Sequence, residues 1–305
     1  MGGSIYLQPM SVIRGKWYNK EFRVIKRLGS GGTASIYLVR EISCAKEYAL
    51  KISRDMAGID REYRILGQLA SMPYIPGVYC RDDCIIEGEV CYFFSMGYFQ
   101  GENLKRLFHG KKIPQKTALK IVAVTGSICC ALNRRNLYYC DIKPENLIFD
   151  RETGSVCIID FGGVVGKGEA VTQFTPDFDR ASWGMGERIA DEGYQGFALL
   201  MMLLGFLMGD LGCGGRDFAR LKARVDKSQL SKNLKKVIIE GLKQKSPGLK
   251  RLAASLMDAA GETADKGCDD RRRVDAIIDI GLLLSITVFA VILIMVLWNS
   301  GMGYF

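Results

Sequence analysis

The chain has 305 residues but only one histidine, His109. Structural zinc sites are built from histidines and close pairs of cysteines. No close pair of cysteines in this sequence is matched by a second pair or by histidines, so we expect no structural zinc. The stretch 1–17 also lacks an uninterrupted apolar run after a basic start, which argues against a cleaved signal peptide. We therefore expect the main part of the chain to stay in the cytoplasm.

The ten cysteines are scattered through apolar segments such as 129–130 and 156–158. In a small secreted protein this number would suggest a disulfide framework. Their apolar surroundings favour reduced thiols in the core of a cytoplasmic domain instead.

Basic residues exceed acidic ones, and the formal net charge is +9. Many of the basic residues lie between Arg216 and Arg273. This excess favours anionic partners such as nucleotide phosphates, acidic lipid headgroups or nucleic acid. A solvated basic face is the alternative interpretation.

The hydrophobic pattern divides residues 22–260 into a β-rich part, 22–99, and a helical part, 100–260. In the first part, short β-prone runs alternate with turns around one helix. In the second, long apolar-periodic stretches accompany one strand pair. The predicted strands are Phe22–Leu28, Ser35–Arg40, Glu47–Ile52, Cys84–Ile86, Val90–Ser95, Leu147–Phe149 and Val156–Ile159, and the predicted helices are Ile59–Ala70, Thr117–Arg135, Gly193–Met208, Asn233–Gln244 and Lys250–Ala260. The expected fold class is α+β with two lobes, preceded by an N-terminal extension, 1–21.

The segment Gly281–Trp298 is the longest run without charge, with 18 residues that span roughly 27 Å as a helix. Extending it back to 276 includes only one charged residue, Asp279. Three arginines at 271–273 precede the run, whereas 299–305 carries no positive charge, so the N-terminal side should be cytoplasmic. We predict a basic juxtamembrane linker at 261–275, a transmembrane helix at 276–298 and a short extracytoplasmic tail. A buried helix of the soluble domain is the alternative.

Residues 29–34, with the sequence GSGGTA, form a glycine-rich turn between two predicted strands. Small residues allow backbone amides to approach phosphate groups closely. By itself this pattern is more often just a turn. Lys51 on the next strand and Glu62 on the following helix add context, because a buried lysine needs a countercharge and such a pair could hold the ammonium against phosphates.

The segment YCDIKPEN at 139–146, followed by IDFG at 159–162, carries the strongest signal. Phosphoryl transfer needs a carboxylate near the acceptor hydroxyl, a lysine near the transferred phosphate, and oxygen ligands for Mg²⁺. These two segments contain all of these groups. With their order and spacing, the sequence resembles the protein kinase family over about residues 22–260.

The resemblance implies ATP and Mg²⁺ as cofactors and assigns roles to individual residues. Asp141 would orient the substrate hydroxyl or accept its proton, and Lys143 would steady the phosphoryl group. The lysine two positions after Asp141 is typical of the Ser/Thr branch. The metal ligands would be Asn146 and Asp160, and the cofactor-binding residues would be Leu28, Gly29, Gly31, Gly32, Ile36, Ala49, Lys51, Glu62, Met96, Tyr98, Glu102 and Ile148.

The sequence also departs from the family pattern. Ala34 stands at the third glycine of the phosphate loop, a small change that should leave activity intact. Tyr139 and Cys140 replace the usual histidine and arginine, so the basic pocket for a phosphorylated activation loop is missing. We therefore do not expect activation by loop phosphorylation. Ser182 replaces a glutamate that normally pairs with a buried arginine, and Asp191 matches an aspartate that anchors the catalytic loop.

The first functional hypothesis is a membrane-anchored Ser/Thr protein kinase with its catalytic domain in the cytoplasm. The alternatives are a pseudokinase or membrane scaffold that binds nucleotide without efficient transfer, and a kinase acting on a small molecule or lipid. The expected partners are an unidentified protein substrate and the membrane, including contact between the basic region and anionic lipid. We expect no nucleic-acid partner, and self-association stays open.

Overall fold

The structure is a computed structural model, and it describes residues 4–32, 34–109, 113–150, 154–209, 211, 215–243 and 248–262. These residues fall into two compact units that divide between Gln100 and Gly101.

The first unit is a six-stranded antiparallel sheet with one helix. In chain order its elements are β1 (Val12–Arg14), β2 (Glu21–Ser30), β3 (Ala34–Glu41), β4 (Glu47–Ser53), α1 (Met56–Gln68), β5 (Val78–Ile86) and β6 (Glu89–Met96). The strand order across the sheet is β1-β2-β3-β4-β6-β5. Helix α1 starts where the Asp55 side chain accepts a hydrogen bond from the Gly58 amide, at 3.0 Å.

The N-terminal segment contributes to the core of this unit, which the sequence pattern did not predict. Ile5, Leu7 and Ile13 belong to the same buried cluster as Tyr37. The Tyr37 hydroxyl donates to the Ile5 carbonyl at 2.8 Å and accepts from the Leu7 amide at 2.9 Å. A buried hydroxyl therefore satisfies backbone groups that form no ladder, and the segment is fixed to β3.

The second unit combines helices with two small sheets. Its elements are β7 (Gly101–Asn103), α2 (Leu104–Leu107), α3 (Gln115–Asn133), β8 (Leu137–Tyr139), β9 (Leu147–Asp150), β10 (Ser155–Ile158), β11 (Val164–Gly166), α4 (Glu192–Met208), α5 (Phe218–Lys227), α6 (Lys232–Leu242) and α7 (Leu249–Glu262). One sheet has the order β10-β9-β7 and the other pairs β11 with β8. Helix α4 is buried from Tyr194 to Leu204. Its nearly uniform apolar character follows from this burial on all sides.

The predicted succession of a β-rich part and a helical part is confirmed. The predicted membrane span, 276–298, lies outside the described residues, as does the linker beyond residue 262. Among the helices that the structure describes, none combines the length and the apolar character needed to cross a bilayer.

Candidate active site

Lys51 and Glu62 form a buried ion pair in the first unit. The Lys51 Nζ atom lies 2.6 Å from Glu62 Oε2, and the two side chains are only 10% and 4% exposed. Strand β4 supplies the lysine, and α1 carries Glu62 on the face that also buries Ile59 and Leu66. The countercharge expected from the sequence is therefore in place. Such a pair holds the ammonium group in one position.

The other first-unit residues of the predicted cofactor set lie on neighbouring strands. Ile36 on β3 is opposite Gly29 on one side and Lys51 on the other. Ala49 on β4 is opposite Met96 at the end of β6. Leu28 precedes Gly29 on β2, Gly31 and Gly32 follow in the turn, and Tyr98 is the second residue after β6.

The glycines of the turn fit a phosphate-binding loop. A Cβ atom built on Gly29, Gly31 or Gly32 would meet nothing within 4 Å. Contacts within the described protein therefore do not require glycine at these positions. Backbone left uncovered in this way is accessible to an anionic ligand, as ATP phosphates require.

The catalytic loop of the second unit brings Asp141, Lys143 and Asn146 together. Lys143 Nζ lies 2.7 Å from Asp141 Oδ2. The Asn146 side-chain amide donates to the backbone carbonyl of Asp141 at 2.9 Å and to its Oδ2 atom at 3.0 Å. A short 3₁₀ turn, Pro144–Asn146, places the asparagine back against the aspartate. The Asp141 carboxylate is thus held by two donors from its own loop.

Asp160 lies close to this loop, because the backbone of the preceding residue, Ile159, is hydrogen-bonded to Asn146. The Ile159 amide donates to the Asn146 carbonyl at 3.1 Å, and Asp160 Oδ1 accepts from the Gly162 amide at 3.0 Å. Glu102 and Ile148 lie on adjacent strands, with Glu102 opposite Phe149 and Ile148 opposite Asn103. All six second-unit residues predicted for the site therefore lie on the β7–β9 pair, on the loop that precedes β9 or on the segment that follows β10.

The donor set is compatible with Mg²⁺. Asn146 and Asp160 offer an amide oxygen and a carboxylate, which are hard ligands of the kind that Mg²⁺ prefers. No cluster of three or more His, Cys, Asp or Glu side chains in the described part of the chain could hold a metal ion unaided. Two protein ligands fit an ion that completes its shell with water and phosphate oxygens.

The chain is similar to known proteins over most of its length. The family model described as the protein kinase domain matches residues 22–271. The chain belongs to the protein kinase family. It is 25% identical over 266 residues to the serine/threonine-protein kinase YabT of Bacillus subtilis (strain 168), an alignment that covers 85% of this chain and 78% of YabT.

This kinase also resembles two other curated relatives over shorter stretches. It is 29% identical over 154 residues to the probable serine/threonine-protein kinase YbdM of the same organism and 31% identical over 149 residues to the mouse serine/threonine-protein kinase SBK1. These alignments cover 57% of YbdM and 35% of SBK1. The expected enzyme class, an ATP-dependent serine/threonine protein kinase, is confirmed by the family and these relatives.

Thr175 contacts two residues of the candidate site, although the sequence motifs give it no role. Its hydroxyl donates to Asp141 Oδ1 at 3.2 Å and accepts from Lys143 Nζ at 3.1 Å. The available signal was its place in the segment 174–182, whose pattern resembles the end of an activation segment. The contact between Asp141 and Thr175 could not be predicted from local sequence patterns, because the two residues are far apart in the chain.

Tyr139 and Cys140, which replace the usual histidine and arginine of the family directly before Asp141, are both buried. The Tyr139 ring lies 6.0 Å from that of Phe161, and burial, followed by the charges of Asp141 and Asp160, raises the pKa of the Tyr139 hydroxyl well above its ordinary value. Cys140 joins an apolar cluster with Tyr138, Val171, Ala190 and Tyr194. An apolar cluster therefore occupies the surroundings of Cys140, where the family has a basic side chain.

Asp191 is the N-cap residue of α4, and Gln195 lies in the first turns of the same helix. The Asp191 carboxylate accepts from Arg180 at 2.8 and 2.9 Å and caps α4 through the Tyr194 amide at 2.6 Å. The buried Gln195 contacts the end of β8, two residues before Asp141, because its side-chain amide donates to the Tyr139 carbonyl at 3.2 Å. Gln195 was not singled out from sequence, because it looks like one polar residue in an apolar helix.

Proposed function

We propose that this chain transfers the γ-phosphoryl group of ATP to serine or threonine hydroxyls of a protein substrate. The observation that carries the proposal is the arrangement of Asp141, Lys143 and Asn146, in which one carboxylate is held by two donors within 3.0 Å. The Lys51–Glu62 pair supports it. The names of the relatives point to the same acceptor groups.

In this proposal each residue has a defined task. Asp141 orients the acceptor hydroxyl and takes its proton as the new O–P bond forms and the bond to ADP breaks. Lys143 balances charge on the transferring group, and Lys51, oriented by Glu62, contacts the phosphates of the nucleotide. Asn146 and Asp160 would hold Mg²⁺. When bound, ATP and Mg²⁺ supply the phosphoryl group and neutralise its negative charge.

The test measures phosphate transfer from labelled ATP by the full chain in detergent, with Mg²⁺ and a generic acceptor protein. We expect Asp141→Asn to lower kcat by about 10²- to 10⁴-fold, and we expect Asp160→Ala to lose Mg²⁺-dependent transfer. Arg216→Ala is the matched control, because this exposed arginine pairs with Asp177 on the surface. Nucleotide binding without transfer by the wild type would favour a pseudokinase. Transfer only to a small molecule or lipid would favour the third hypothesis.

We further propose that residues 276–298 anchor the chain in a membrane with the kinase on the cytoplasmic side. The uncharged run Gly281–Trp298 and the arginines before it support this proposal. Helix α5 adds four basic residues against one acidic residue, which favours contact with anionic lipid. The anchor would also concentrate a second copy of the chain as a substrate.

The membrane proposal is tested by fractionation of cells that express the full chain or residues 1–262. The full chain should sediment with membranes and resist extraction by salt and alkali, whereas the truncated chain should not. To test lipid contact, we would measure binding of the truncated chain to vesicles with and without phosphatidylserine. Vesicles that contain this anionic lipid should bind the truncated chain more strongly. Equal binding to both would contradict the contact.

A further inference from the structure

The Asp179 carboxylate is fully buried and is the centre of a polar network in the second unit. It accepts hydrogen bonds from the Ser182 amide at 3.0 Å, the Ser182 hydroxyl at 2.6 Å and the Tyr194 hydroxyl at 3.0 Å. Burial alone raises the pKa of Asp179, but the bonds from Ser182, Arg188 and Tyr194 lower it below its ordinary value. Ser182, one of the residues that depart from the family pattern, is therefore a donor to a buried anion.

Arg188 connects this buried network to the surface. Its Nε atom donates to Asp179 Oδ2 at 2.8 Å, and its Nη2 atom donates to the Ser182 hydroxyl at 3.3 Å. The guanidinium carbon lies 4.1 Å from the centre of the Phe174 ring. A planar guanidinium can donate in its plane while it stacks on an aromatic face, which an ammonium cannot do in the same way. Arg188 thus joins Asp179 to Phe174.

Phe174 is the residue directly before Thr175, whose hydroxyl contacts both Asp141 and Lys143. The chain between Val171 and Thr175 is exposed. Arg188 fixes this stretch twice, because its carbonyl accepts from the Val171 amide at 2.9 Å while its side chain covers Phe174. The position of the Thr175 hydroxyl therefore depends on contacts made by Arg188.

We propose that Arg188 is a positioning residue that acts through Phe174 to hold the Thr175 hydroxyl against Asp141 and Lys143. This inference rests on the proposed function. Thr175 in this position limits the orientations of the Asp141 carboxylate and of the Lys143 ammonium. Loss of Arg188 should therefore affect the transfer step, which requires accurate orientation. It should leave the KM for ATP unchanged, because none of the hydrogen bonds or stacking contacts described for Arg188 involves a predicted nucleotide-binding residue.

The test is a double-mutant cycle on the full chain in detergent with Arg188→Ala, Thr175→Ala and the double variant. We expect Arg188→Ala to lower kcat by about 10- to 100-fold with an unchanged KM for ATP. In the Thr175→Ala background the same change should cost less than about twofold, since contacting residues in one pathway are not additive. Arg216→Ala is the control, because that arginine pairs with Asp177 in the same segment, and its kcat should match the wild type.

A second variant keeps the test decisive if Arg188→Ala fails to fold. Phe174→Leu removes the stacking but leaves the bond between Arg188 and Asp179, so it should lower kcat in the same direction with little change in Tm. The inference is wrong if Arg188→Ala and Phe174→Leu both behave like Arg216→Ala, or if the loss is equally large without the Thr175 hydroxyl. No transfer by the wild type would overturn the proposed function and this inference together, whereas normal transfer by both variants would overturn this inference alone.

Discussion

Gly163 lies where the second unit leaves no room for a side chain, so Gly163→Ala gives a quantitative prediction. An added Cβ would lie 2.7 Å from the Cβ of Asp141 and 3.1 Å from its amide nitrogen. Carbon atoms in contact prefer about 3.5–4.0 Å, so the two segments must separate by roughly 1 Å. The Gly163 carbonyl accepts from the Cys140 amide at 3.1 Å, which ties this backbone to the catalytic loop. The strain therefore falls on Asp141 itself.

A displacement of about 1 Å in a catalytic group typically lowers the rate about 10²-fold, and overpacking costs about 1–3 kcal/mol of stability. We expect Gly163→Ala to show both effects in a phosphate-transfer assay and in thermal unfolding. Gly67→Ala is the control, because a Cβ there meets nothing within 4 Å and Gly67 lies in helix α1. A kcat within twofold of the wild type for Gly163→Ala would refute the reasoning from this contact.

Three further predictions concern buried polar groups. The Tyr139 hydroxyl has no well-formed hydrogen bond among the described residues, so Tyr139→Phe should raise stability by about 1 kcal/mol in thermal denaturation; a lower Tm would contradict this. Burial, followed by the charge of Asp191, raises the pKa of the Cys140 thiol to about 12. Iodoacetamide at pH 8 should therefore label the exposed Cys44 more than about tenfold faster than Cys140, as measured by mass spectrometry of tryptic peptides. Because the pKa of Asp179 is lowered from 3.8 on folding, its charge stabilises the fold above that pH, and this contribution disappears as the pH falls through the lowered pKa. Asp179→Asn should therefore cost about 2 kcal/mol at pH 7 in urea unfolding and less at pH 3; an equal cost at both values would argue against the assignment.

The sequence predicted most of the elements that carry the site, because hydrophobic periodicity and the motif spacing both act over short distances. The predicted strands Glu47–Ile52 and Leu147–Phe149 correspond to β4 and β9, and the predicted helix Gly193–Met208 corresponds to α4. The predicted start of the first helix, Ile59, was three residues late, since the Asp55 cap extends α1 to Met56. The three-residue strands β1, β7, β8 and β11 were not predicted. A run of three residues is too short to show the alternation of apolar and polar residues that indicates a strand.

The parts of the site that escaped prediction depend on contacts between residues far apart in the chain. Thr175 contacts Asp141 across 34 positions, and Gln195 reaches the Tyr139 carbonyl across 56. No local pattern encodes such pairs. From sequence, Ser182 indicates the loss of a glutamate–arginine pair. The structure shows that Asp179, a buried aspartate three residues earlier, accepts hydrogen bonds from both the amide and the hydroxyl of Ser182.

The packing around Cys140 suggests how the chain near Val171, which precedes the segment 174–182, can be ordered without a phosphate group. A basic pocket would hold a phosphorylated residue by charge, but here Cys140 and Val171 pack in one apolar cluster. Backbone hydrogen bonds hold the same stretch in place. The Gly168 amide donates to the Ala190 carbonyl at 2.8 Å, and the Ala190 amide donates to the Glu169 carbonyl at 2.9 Å. Apolar packing and backbone hydrogen bonds are present as soon as the unit folds, whereas charge from a phosphate must be added later. The replacement of the arginine by Cys140 is thus consistent with a segment whose order is built into the sequence.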